Sequence, residues 1–324
     1  MKSVKSFCFQ ILLMALLLPI MILSATRLSW TEDNVEAQFL PQEEARRIVV
    51  DRDGEKTEMD LEEYVTQVVL AEMPGSFETE ALKAQAVAAR TFGWKACSTG
   101  GKHGDGTVCT NASCCQGFVT AEDFVSYYGT AQELEKIRDA VSATAGTVIT
   151  YGDQLIEAAY FSSSGGNTED ALAVWGRDYP YLTAKESPED WEQGEQVQAF
   201  SAAFLELTLD TRLEGPPDSW FHDWEYTAGG GVARVGIGDQ SFSGTALRKL
   251  LNLRSTAFSV TIKDDVVSFH TRGYGHRVGM SQYGANAMAL EGKTWEEILQ
   301  YYYAGTKLVS ISQLGENDPS VKYP

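Results

Sequence analysis

Two adjacent segments constrain this chain more than any other: "LEEYVTQVVLAEMPGSF" (61–77) and "ETEALKAQAVAARTFGWKA" (78–96). In the first, Leu61, Val65 and Val68 recur at steps of four and three, the spacing of one helical face. Pro74 stops that helix near Met73, and Asp60 followed by Glu63 resembles a capping box at its start. The second segment predicts a helix over 78–96 whose alanines allow close approach, so the two helices pack as a hairpin. The apolar stripe of the first helix ends on an acid, Glu72. Burial disfavours the charged form of a carboxyl, and the negative end of the helix dipole does the same. Both push Glu72 toward the protonated state that a general acid needs near neutral pH. The plainer reading is an exposed helix-end acid, or a core carboxylate satisfied by an Arg. Lys83, Gln85 and Arg90 are the long polar side chains of the Ala-rich helix; they line a cleft or are simply solvated.

Around this hairpin, helices and strands mix without a βαβ rhythm, so the expected class is α+β: helices and short strands around a cleft. "RRIVVDRDGEKTEMD" reads as two strands about a turn at Asp53-Gly54, and "GTVITYGDQLIEAAYF" as two more about Gly152-Asp153. A helix is expected at 131–142. Residues 186–260 read as an insertion with its own helix near 197–207 and a strand–turn–helix at "ARVGIGDQSFSGTALRKLL". The chain closes on a strand, a glycine-rich loop and two helices. The folded domain is expected over 48–310, with a tail at 311–324.

Before it lies "FCFQILLMALLLPIMIL" (7–23), free of charge and preceded by Lys2 and Lys5. Seventeen apolar residues are near the lower limit for a membrane span. "LSATRL" is a poor cleavage site, so residues 1–26 read as a retained anchor, with a cleaved signal peptide as the alternative. The basic flank puts the N-terminus inside and the rest, through a polar stalk at 27–47, outside the membrane. Net charge is −19, from Asp+Glu 45 against Lys+Arg 26, which argues against nucleic-acid partners held through phosphates.

Two further groupings could carry chemistry. "HGDGTVCTNASCC" (103–115) places His103, Cys109, Cys114 and Cys115 in one short loop. Four N/S ligands close a tetrahedral structural zinc site; with Cys97, disulfides are the rival for an outward-facing segment. A closed set leaves no open position for water, so a zinc hydrolase is disfavoured. "YFSSSGGNTE" and "GYGHRVGMSQYGA" combine small residues, hydroxyls, amides and tyrosines, which suits carbohydrate and is also ordinary loop composition. Ser163 and His276 lack the G-x-S-x-G elbow of a hydrolase triad.

Taken in order, "AEMP", "ALKAQAVAARTF", the His/Cys loop ending "CQ", "YFSSSGGNTE", "VWGRDYPYL", "LRKLLNLRSTAF", "GYGHRVGMSQYGA" and "ILQYYYAGT" resemble the SpoIID (stage II sporulation protein D) family over about residues 45–310. These are peptidoglycan lytic transglycosylases of endospore-forming bacteria, with relatives described as amidase enhancers. The resemblance implies that Glu72 is the catalytic acid/base, and that Lys83, Gln85, Arg90, Asn167 and Tyr181 contact glycan. It implies a zinc site at His103, Cys109, Cys114 and Cys115, with Cys114 standing where a His is expected. Arg277 is a second departure, in a loop that usually reads G-x-G-H-G. The implied substrate is glycan already stripped of stem peptides by an amidase partner in the engulfment machinery. The alternative is a non-catalytic glycan-binding enhancer of an amidase. A homodimer is left open.

Overall fold

The computed structural model describes residues 46–188 and 195–314. The anchor expected at 1–26, the stalk up to residue 45 and the tail beyond 314 lie outside those residues. No described helix is long and apolar enough to cross a membrane.

Strands β1 (Arg47–Arg52) and β2 (Glu55–Asp60) pair antiparallel about the Asp53-Gly54 turn. They lead directly into α1 (Leu61–Glu72), which Asp60 caps by accepting from the Glu62 and Glu63 N–H groups at 2.9 and 3.2 Å. Glu63 instead binds Gln67 at 2.7 Å, so only half of the expected capping box forms. Helix α2 (Thr79–Thr99) packs on α1 as the alanine pattern predicts. Where they cross, a Cβ on Gly93 would stand 2.8 Å from the Tyr64 ring, so only glycine allows this separation. Val65, Val68 and Val69 are fully buried in the interface, each contributing about 2 kcal/mol.

The short strand β3 (Val108–Cys109) runs parallel to β1. Helix α3 (Ala131–Ala143), with a complete capping box at Thr130 and Glu133, covers α1 and α2. Strands β4 (Thr147–Tyr151) and β5 (Gln154–Leu155) form the hairpin expected at Gly152-Asp153. The brief strand β6 (Tyr160–Phe161) and helix α4 (Ala171–Trp175) follow.

Around the segment expected as an insertion, residues from Leu205 to Phe269 form a second hydrophobic core, and we refer to this region as the subdomain. Residues 197–201 belong to a strand, β7 (Gln196–Ser201), and the helix is α5 (Ala202–Leu209), started by the Ser201 hydroxyl accepting from Phe204 N–H. Strands β8 (Phe221–Tyr226), β9 (Val232–Ile237) and β10 (Gln240–Ser243) make one sheet, closed by α6 (Gly244–Leu250). Strands β11 (Ala257–Lys263) and β12 (Val266–Arg272) make the other, with β12 between β11 and β7. Because β7 pairs with β12, the unit runs past the expected end at 260 to Arg272. That long-range pairing leaves no mark in the local pattern of residues 197–207.

The chain then returns to the first core. Strand β13 (Met280–Ser281) pairs parallel with β6, helices α7 (Gln282–Leu290) and α8 (Trp295–Tyr302) pack on α2, and β14 (Lys307–Ser310) closes beside β4. The fold is mixed helix and short strand, as expected.

Arg90 belongs to this core. It is fully buried, forms an ion pair with Glu62 at 2.6 Å, and donates to the Thr147 and Val141 carbonyls at 3.2 Å each. It therefore ties α2 to α1 and to the α3–β4 connection. Arg90→Ala leaves these acceptors unpaired and should cost about 3 kcal/mol of stability. Urea unfolding reads this directly, and an unchanged midpoint would contradict the assignment of Arg90 as a tie within the core.

Candidate active site

The C-terminal end of α1 delivers Glu72 to the floor of a cleft of about 1250 Å3. Its Oε1 accepts the Gly117 N–H at 2.6 Å, and its Oε2 the Gln282 amide at 3.3 Å. A Cβ on Gly117 would come within 2.9 Å of Glu72 Oε1, so glycine is what lets that backbone approach. The Tyr160 hydroxyl also favours the Glu72 anion. It donates to Gln116 Oε1 at 2.8 Å, and the Gln116 amide donates to Tyr64 at 2.6 Å. Burial outweighs the Gly117, Gln282 and Tyr160 contributions and holds the Glu72 carboxyl above its ordinary range. Burial, followed by the nearby Glu72 charge, drives Tyr160 well upward, so its phenol keeps its proton.

The wall opposite α1 comes from the loops before and after the subdomain. Tyr160, Trp175, Tyr179, Tyr274 and His276 line it. His276 packs between Phe161 and Trp175, with ring centres 5.7 and 5.2 Å away. Burial, then the charges of Arg248 and Lys102, lower its pKa to about 4, so it is neutral at physiological pH. Besides Glu72 the acid in the lining is Glu157, paired with Lys95 at 3.1 Å. Glu72 also borders a second hollow of about 360 Å3 with Pro74, Phe124 and Tyr128.

None of the other five predicted glycan contacts lines this cleft. Lys83 pairs with Glu80 at 2.7 Å on the first turn of α2. Gln85 is fully buried, with no hydrogen-bond partner for its amide among the described residues, and Arg90 is the core tie described above. The exposed Asn167 uses its carbonyl to accept from Arg277 at 2.8 Å. Tyr181 stands behind the wall: its hydroxyl accepts the Glu157 N–H at 2.9 Å and its ring meets Tyr179 at 5.8 Å. The residues that do surround Glu72 (Gln116, Gly117, Tyr160 and Gln282) were not singled out in the sequence. The signal was present in "CQG" and "MSQYGA", motifs that place amides beside glycine.

Arg277 now has a physical account. Its φ of +65° is the left-handed conformation that favours glycine. Its guanidinium offsets the strain with a buried ion pair to Glu169 at 3.0 Å and donates to the Ser164 and Gly229 carbonyls at 2.8 Å. Glu169 also accepts from Thr227 and Gly231 of the subdomain, so this pair fastens the cleft loop to the inserted unit.

His103, Cys109, Cys114 and Cys115 converge, with all ligand atoms within 4.8 Å of one another. His103 Nε2 lies 3.5 Å from Cys115 Sγ and 3.8 Å from Cys114 Sγ. A zinc tetrahedron with bonds of about 2.0 Å to N and 2.3 Å to S has edges of about 3.5–3.8 Å, which the two His103–Cys distances approach, and the donor set of one N and three S suits that ion. The four thiols of the described residues are free, Cys97 among them, and Cys97 is not one of the four ligands. Burial raises the Cys109 thiol, but the Asn111 N–H, then His103 and the two neighbouring thiols, bring it down to about 7. The cluster sits immediately before Gln116 and Gly117, and Cys114 and Cys115 themselves border the cleft.

The SpoIID (stage II sporulation protein) family matches residues 52–151. The chain is 40% identical over 254 residues to stage II sporulation protein D of Bacillus subtilis (strain 168), covering 76% of this chain and 74% of that protein. It is 37% identical over 254 residues, with the same coverage, to the protein of that name from Bacillus amyloliquefaciens. It is also 32% identical over 301 residues to the amidase enhancer of Bacillus subtilis (strain 168), covering 75% of this chain and 40% of that protein. With this identity sustained across most of both chains, the protein belongs to the stage II sporulation protein D family.

Proposed function

We propose that this chain is a lytic transglycosylase of sporulation that cuts peptidoglycan glycan strands after their stem peptides have been removed. The observation that carries the reading is Glu72: one half-buried carboxyl, its pKa raised by burial, in a cleft lined by aromatic and amide side chains. Protonated Glu72 gives its proton to the oxygen joining muramic acid to the next glucosamine. The bond breaks through an oxocarbenium-like state. The Gly117 N–H and the Gln282 amide then stabilise the Glu72 anion. That anion takes the proton from the C6 hydroxyl of the same muramic acid, whose oxygen closes on C1. Glu72 ends as it began, and the product carries a 1,6-anhydro end. No second carboxylate and no water take part, which suits a cleft whose other acid is engaged with Lys95.

His103, Cys109, Cys114 and Cys115 would hold zinc, which when bound supplies a structural cross-link and no chemistry on the sugar. The names of the relatives support a sporulation role. The apolar run at 7–23 and its basic flank support a tethered enzyme facing the wall, in the space around the forespore. A second reading, a glycan-binding enhancer of an amidase, is favoured by the relative of that name. A binding module has no need of a carboxyl whose pKa burial raises. The experiment that separates the readings is analysis of strand ends after incubation with peptide-stripped glycan: anhydro ends, reducing ends, or no new ends.

A further inference from the structure

The lining of the cleft carries the opposite charge from the rest of the molecule. In a chain of net charge −19, Lys95, Lys102, Arg177 and Arg248 all border the hollow that contains Glu72. Lys95 is taken by Glu157. The other three form no ion pair among the described residues, and their acidic neighbours in the lining are only the engaged Glu157 and the protonation-favoured Glu72. They come from three separate segments: Lys102 from the loop before the metal cluster, Arg177 from the turn after α4, and Arg248 from the last turn of α6. The inserted subdomain thus adds a cation to the wall. Arg248 is half-buried and its Nε is fixed on the Arg254 carbonyl at 3.2 Å, leaving the rest of the guanidinium for a ligand. Arg248 and Lys102 both act on His276, which places their fields together within the cleft. Lys102 Nζ donates to the Cys114 carbonyl, and Lys102 and Arg177 are exposed while Arg248 is half-buried, so the three present positive charge to the cleft with no carboxylate paired to them among the described residues.

We infer that Lys102, Arg177 and Arg248 form a carboxylate-recognition subsite for the lactyl group of muramic acid. This rests on the glycan-cleaving reading of the same cleft. The lactyl ether at C3 of muramic acid ends in a carboxylate only when its amide bond to the stem peptide has been cut. In a peptide-bearing strand the same group is a neutral amide. Arginine and lysine favour the carboxylate through charge-assisted hydrogen bonds, which an amide carbonyl makes more weakly. Selection for stripped strands is then a reading of charge, in addition to any crowding by the peptide. Stem peptides bring carboxylates of their own, so the test must tell the two sources apart.

The measurement is equilibrium binding by the full chain carrying Glu72→Gln, so that nothing is cleaved. Three probes of equal length are used: peptide-free strands, the same strands with each lactyl carboxylate converted to a methylamide, and strands bearing stem peptides. Peptide-free strands should bind about tenfold more tightly than the methylamide, an advantage that shrinks as salt rises. Adding Arg248→Ala or Arg177→Gln should remove most of that advantage while leaving methylamide affinity within about twofold. Arg177 lies in an exposed turn, so its variant carries the test if Arg248→Ala fails to fold. Equal affinity for the carboxylate and methylamide strands would overturn the inference. Peptide-bearing strands binding as tightly as peptide-free ones would assign the subsite to peptide carboxylates and overturn it as well. Failure of the cleavage reading is seen separately, as an absence of anhydro ends with this binding preference intact.

Discussion

Glu72→Gln should lower the proposed cleavage of peptide-stripped glycan by about two orders of magnitude or more, with the protein still folded. The amide keeps the shape of the side chain, and its oxygen can still accept the Gly117 N–H, but it can neither give nor retrieve the proton. The same variant carries a pH signature. Burial raises the Glu72 carboxyl above its ordinary value of 4.5 in the folded state. The stability linked to its protonated form is therefore fully present below about 4.5 and is lost as pH rises through the raised value. Glutamine does not titrate, so the melting temperature of the variant should gain on that of the wild type as pH rises toward neutral. Wild-type activity should fall over the same rise, as the acid form is depleted. A variant that cleaves at near wild-type rate would remove Glu72 from the mechanism, and a parallel pH dependence of melting would contradict its burial.

Metal removal is the second large effect. Structural zinc sites contribute roughly 10 kcal/mol or more of apparent binding free energy at neutral pH, much of it realised as folding. Read from sequence alone, the His/Cys loop is a separate staple whose loss lowers stability before it touches chemistry. The proposed metal loop and Glu72 are adjacent, because Gly117, whose N–H donates to Glu72, follows Cys115 by two residues. Gln116, between them, supports both Tyr160 and Tyr64. Chelation, or Cys115→Ser, should therefore lower the melting temperature and cleavage together. About one zinc per chain should co-purify, and Cys97 should titrate as a free thiol. Full activity in a metal-free sample with a lowered melting temperature would uncouple the loop from Glu72.

What the sequence revealed follows from how local each signal is. The α1–α2 hairpin is written in steps of three and four, in Pro74 and in the alanines, all within one short stretch. Glu72 stood out because a carboxyl broke an apolar stripe, and the four metal ligands because they lie within one loop. That Lys83, Gln85 and Arg90 stand outside the lining of the cleft has a physical cause. On an Ala-rich helix, long polar side chains suggest a cleft lining or a solvated surface, but α2 is buried almost all round, from Ala81 to Thr91, with Lys83 the half-buried exception. Arg90 and Gln85 consequently point into protein. The true surroundings of Glu72 come from residues 116–117, 160 and 282, brought together only by tertiary pairing such as β6 with β13. The helix expected near 197–207 begins later, at Ala202, for the same reason, since residues 197–201 form a strand beside β12.

The central claim is that one carboxyl cuts the strand without water, and isotope labelling tests it most directly. Peptide-stripped glycan is incubated with the protein in water enriched in oxygen-18, and the new strand ends are resolved by mass. Internal attack by the C6 hydroxyl predicts 1,6-anhydro ends that contain no label, formed by the wild type and absent with Glu72→Gln. Reducing ends carrying one labelled oxygen per cut would show that water attacks C1 and would contradict the account.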